Sequence, residues 1–241
     1  MEDTGPVLSA FAFGLMASSA LVIGAVAGAY WTPPRPLLAA ALAFASGALI
    51  TALAFDLFQE SFERGGAWLS SIGLLLGAAA FVVADEGLDR YIEGAGSSVS
   101  AFALLAAVTL DGIPENMALG VSLLETSTGG TLTLLVAIFL SNLPESLGGA
   151  VGMRQQGRSR RFSIGVWSAT ALILAVSVVL GNVALSNAGE GTLAILLSFA
   201  GGAVLASLAD TLMPDAYREG GKQVAFATAA GFLLSFLIAE L

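Results

Sequence analysis

Uninterrupted apolar runs of 18 or more residues recur along this chain from one end to the other, and they limit its fold more than any other feature. At ~1.5 Å per residue, each run can cross a hydrocarbon core of ~30 Å as an α-helix. Inside such a core the backbone must satisfy its own hydrogen bonds, which a helix does within a single segment. Eight spans are expected: Val7–Tyr30, Pro36–Gln59, Ala67–Ala84, Ser100–Leu124, Thr131–Met153, Phe162–Leu185, Thr192–Met213 and Val224–Ala239. The breaks between them carry turn or charged residues, such as Pro33 and Pro34, Gly65 and Gly66, Gly129 and Gly130, and the stretch from Gln155 to Arg161.

Only 11% of the 241 residues are charged, against roughly a quarter in soluble domains. The expected fold class is therefore all-α, a polytopic membrane protein with one domain over residues 1–241. Glycine is abundant, and pairs such as Gly24 and Gly28 suit close helix packing in lipid. A net charge of −9 speaks against nucleic acid, which needs a basic face. With no cysteine there are no disulfides and no thiolate ligands. Glu2 and Asp3 replace the basic flank of a signal peptide, and the following apolar run is too long for one, so it reads as the first span.

Basic residues orient the spans, because they collect on the cytoplasmic side. The connections after spans one, three, five and seven hold Arg35, Arg90, Arg154, Arg158, Arg160, Arg161, Arg218 and Lys222, which is eight of the nine basic residues. Only Arg64 falls on the other side. This places both termini outside the cytoplasm, in a multi-pass protein of the plasma or inner membrane.

Ionisable groups within a span are costly and ordinarily mark a cavity or pathway. Span four contains Asp111 and Glu115 in Asp111-Gly112-Ile113-Pro114-Glu115-Asn116, and span five contains Glu145 in Ser141-Asn142-Leu143-Pro144-Glu145-Ser146. Residues four apart share a helix face, so Asp111 sides with Glu115 and Ser141 with Glu145. A proline inside a helix removes one backbone hydrogen bond and kinks the axis, here freeing the carbonyls of Leu110 and Leu140. Counting inward, Asp111 and Glu115 lie roughly 16 to 22 Å deep and Glu145 about 21 Å deep from the opposite face. Three carboxylates meeting near mid-membrane need a cation to stay ionised together. A divalent ion held by Asp111, Glu115 and Glu145, with Ser141 and Asn142 beside it, meets that need.

At these residues the sequence resembles the ZIP (Zrt/Irt-like) metal transporters, whose fourth and fifth spans carry paired Pro-Glu signatures matched by Pro114-Glu115 and Pro144-Glu145. The likeness extends to span two, from Ala45 to Glu60, and to span seven, from Ala200 to Asp215. It departs where the family's histidine is Asp111, its asparagine Gly112 and its glycine Asn116, and where Ser141 stands for histidine or glutamine. It implies an eight-helix inverted repeat (3+2+3), inward movement of a divalent metal by alternating access, and a homodimer. Spans one, four, five and six would form a transport bundle, and spans two, three, seven and eight a scaffold. The ion (zinc, iron or manganese) is cargo, and no organic cofactor is expected. Oxygen ligands alone favour hard cations, whereas imidazole or thiolate would favour zinc.

Aligning residue 45 with residue 200 matches Ala45, Gly47, Ala48, Leu53, Ala54 and Leu57, and pairs Glu60 with Asp215. The two helices would run in opposite directions, as in the inverted repeats of secondary transporters. An enzyme is not expected: the chain lacks His, Cys and Gly-x-Ser-x-Gly, so it has no equipment for intramembrane hydrolysis. A non-transporting or proton-relay membrane protein with a degenerate metal site is the alternative.

Overall fold

In a computed structural model the described residues, 5–95, 106, 109–110, 112–124 and 128–240, are helical with short connections and contain no strand. The helices are α1 (Gly5–Tyr30), α2 (Arg35–Ala52), α3 (Glu60–Ala95), α4 (Gly112–Ser122), α5 (Thr128–Gln155), α6 (Arg160–Leu185), α7 (Glu190–Ser207), α8 (Met213–Gly220) and α9 (Val224–Ala239). Two π-helical segments, Leu53–Gln59 and Leu208–Leu212, continue α2 and α7.

Five segments are long and apolar enough to cross a membrane: Gly5–Tyr30, Arg35–Tyr91, Gly130–Gln155, Arg160–Leu185 and Glu190–Ala239. They fit a multi-pass membrane protein. The second and fifth, of 57 and 50 residues, far exceed one bilayer thickness. Each contains a glycine in backbone space that other residues rarely adopt: Gly66 (φ 70°, ψ 176°) and Gly221 (φ 63°, ψ −153°). At Gly66 the chain folds back. The hydroxyl of Ser61 donates to that of Ser70 at 2.8 Å, although nine residues of straight helix would separate them by about 13 Å. Of the expected fourth span, 100–124, only residues 106, 109–110 and 112–124 are described.

The helices divide by what they pack against. In one group α1 packs on α5 and α6, and α4 packs on α6; in the other α2 packs on α8 and α9, and α3 packs on α7. The groups meet where α2 touches α5 and α4 touches α7. Their seams are held by glycines. A Cβ on Gly47 would collide with the carbonyl oxygen of Thr228, and one on Gly202 with that of Leu74. A Cβ on Gly231 would strike the carbonyl of Phe44, and one on Gly77 that of Phe199. The α2–α9 and α7–α3 seams thus use the same contacts. Matching features recur 155 residues apart: Phe44 and Phe199, Gly47 and Gly202, Gly66 and Gly221, and the starts of the π segments at Leu53 and Leu208. Arg154 near the end of α5 donates to the carbonyls of Gly28 (3.0 Å) and Ala29 (3.1 Å), closing the last turn of α1.

The two prolines of the expected spans four and five both lie in helices. Pro144 lies inside α5. Pro114 lies in the first turn of α4, whose described residues begin at Gly112. Before it, residues 106 and 109 are helical and Leu110 is a turn, and residue 111 lies outside the described residues.

Candidate metal site

Where the two helix groups meet, α4 and α5 direct polar side chains into an otherwise apolar interior. Glu115 on α4 is 6% exposed, and Ser141 and Asn142 on α5 are each 3% exposed. One small cavity, of about 20 Å³, is lined by Glu115, Ser141, Asn142 and Glu145 together with Gly112 and Ser207. Leu21, Leu49, Leu174, Val204, Leu208 and Leu212 complete its wall. That volume holds a single water-sized particle. Four of the five expected ligating residues therefore share one chamber. The fifth, Asp111, lies outside the described residues.

Local hydrogen bonds decide which atoms face an occupant. Asn142 donates from Nδ2 to the carbonyl of Ala17 on α1 at 3.4 Å, which leaves Oδ1 as its ligating atom. Ser141 donates to the carbonyl of Ile138 at 3.0 Å and keeps its oxygen lone pairs. Asn116 donates to the carbonyl of Gly112 at 2.8 Å, tying down the first turn of α4 around Glu115. The site thus offers oxygen only, from two carboxylates, an amide and hydroxyls. Such a set suits hard divalent cations. Among the described residues no three His, Cys, Asp or Glu side chains cluster as a metal cage.

The cavity adjoins a larger space at one end. Glu145 lines the small cavity and also a vestibule of about 610 Å³, which reaches Gln155, Arg35, Asp215, Arg218 and Glu219. Arg218 pairs with Asp215, and Arg35 lies 3.6 Å from Glu219. Toward the other end of the same helices lies a buried apolar cluster including Leu53, Leu57, Leu119, Leu134, Ile138, Leu193 and Leu197. Elsewhere, Asp210 joins Asp85, Glu86, Asp89, Arg90 and Glu93 around a groove of about 440 Å³. Ser207 was missed. It sits in an alanine-rich helix with no charge or proline beside it to single it out.

No known family model matches the chain, and a search of curated proteins finds no match.

Proposed function

We propose that the protein carries divalent metal cations across the membrane in the manner of the ZIP transporters, with Glu115 and Glu145 as the charged ligands. One observation carries the reading: Glu115, Ser141, Asn142 and Glu145, from two helices, line a single-ion cavity that opens through Glu145 into a vestibule. A carboxylate in so apolar a setting costs free energy unless it does something there. Compensating the charge of a cation that has shed water is what such a pair does best. Asp111, expected from the sequence, would complete the cage. The ligand set is hard, so manganese and iron should compete well with zinc.

In this reading the two over-long helical segments each cross twice, which makes seven spans of the five segments, and the expected span 100–124, to which α4 belongs, is the eighth. The features repeated at 155-residue spacing support two inverted halves with the site between them. The Arg-rich end faces the cytoplasm, so the vestibule is the inward mouth and the apolar cluster the closed outer gate. Ion transport by a homodimer follows from the resemblance, and a plasma- or inner-membrane location with both termini outside follows from the distribution of basic residues.

The test is equilibrium binding of Mn²⁺ to the purified protein. One ion per chain, lost in Glu115→Gln, supports the reading. Equal binding in that variant would place the ion elsewhere. A second reading, a proton relay, gains from the lack of a three-carboxylate cluster among the described residues. It predicts no metal binding, and proton movement that fails in Glu115→Gln.

A further inference from the structure

The charged residues that line the cavity, Glu115 and Glu145, come from α4 and α5, which belong to one helix group. The second group meets the cavity through α7 and its π segment, which supply Val204, Ser207, Leu208 and Leu212. Ser207 is the single polar residue among these four, and it is 3% exposed. It precedes the π segment directly. Single π turns occur mostly at functional sites, where the extra residue re-aims the backbone.

Packing does not require a hydroxyl here. At the 155-residue spacing the partner of Ser207 is Ala52, which is 1% exposed and does not line the cavity. The wall residues next to this pair do correspond, since Leu49 and Val204 lie at the same spacing and both line the chamber. The helix register is therefore satisfied by a methyl group on one side, and a hydroxyl stands only where the cavity is. A serine that donates its proton to a neighbouring oxygen keeps lone pairs for a cation. In a chamber sized for one particle, a lining hydroxyl is within reach of whatever occupies it.

We propose that Ser207 is an oxygen ligand of the transported cation, contributed across the seam by the second helix group. The proposal rests on the reading of the cavity as a divalent-cation site. It adds that the bound ion joins the two groups: Glu115 and Glu145 hold it from one side and Ser207 from the other. Leaving the site then requires the ion to exchange the Ser207 oxygen for water while it is still held by Glu145 at the mouth of the vestibule.

The test uses Co²⁺ as the probe and Ser207→Cys as the reporter. The native chain has no cysteine and no histidine, so a thiolate signal has one possible source. Co²⁺ bound to Ser207→Cys should give an intense near-ultraviolet thiolate-to-cobalt charge-transfer band that the native protein lacks. Cd²⁺ should also displace Mn²⁺ from this variant at least about tenfold more readily than from the native protein, because thiolate selects soft ions. Ser207→Ala should weaken Mn²⁺ binding several-fold, and Ser207→Thr should restore it. If Co²⁺ binds Ser207→Cys without the band, or Ser207→Ala binds Mn²⁺ as the native protein does, Ser207 is not a ligand while the cavity remains a metal site. If the native protein binds neither Co²⁺ nor Mn²⁺, the underlying reading fails, and this proposal with it.

Discussion

Glu115 is the buried acid on which the proposed ion site turns. It is buried beside Gly112 and Asn116 in the first turn of α4, where helix N–H groups point toward negative charge. Replacing it by Gln preserves shape and removes the charge that a divalent ion needs. Breaking a buried charge pairing costs on the order of 3 kcal/mol, so Mn²⁺ binding should weaken at least about a hundredfold in Glu115→Gln. Titration of the purified variant checks this. Asp111→His should shift the preference toward zinc, read in a Zn²⁺/Mn²⁺ competition, because imidazole is the softer ligand. At this scale the sequence was informative wherever chemistry departs from lipid. Two Pro-Glu pairs in apolar runs point at the site without further help. Ser207 was not legible, because a serine in a membrane helix is common and only the folded chain brings it to α4 and α5.

The elements of this fold are set by glycine as much as by hydrophobic length. The double glycines Gly65-Gly66 and Gly220-Gly221 read as breaks in the sequence, and the structure bends at the second glycine of each pair. A Cβ at Gly66 or Gly221 meets no atom within 4 Å, so the requirement is backbone conformation alone. Gly66→Ala and Gly221→Ala should each destabilise the protein by about 1–3 kcal/mol. Gly165→Ala, on a helix with open space around its Cβ, should cost nothing. Thermal unfolding in detergent compares the three. Apolar runs located the long helices well, because length and hydropathy are properties of the chain alone. The seam glycines Gly47, Gly77, Gly202 and Gly231 become meaningful only once their partner helices are known.

For the whole molecule, the arrangement is a small cavity at the seam between two helix groups, adjoining a vestibule at the Arg-rich end, with a buried leucine cluster toward the other. If that end is cytoplasmic, Gly152→Cys in the vestibule should react with a membrane-impermeant thiol reagent only from the cytoplasmic side. Leu197→Cys, in the buried leucine cluster, should stay unreactive in this state. Labelling of right-side-out and inside-out vesicles decides it. The distribution of Arg and Lys gave an orientation from sequence, but which end of the site adjoins the vestibule depends on side-chain packing between helices far apart in the chain. The central claim, that Glu115 and Glu145 carry the ion, is tested most directly by Mn²⁺ uptake into proteoliposomes. Native protein should show saturable uptake, and Glu115→Gln and Glu145→Gln should fall to the level of empty vesicles while inserting and keeping native helix content. Full flux in either variant would contradict the account.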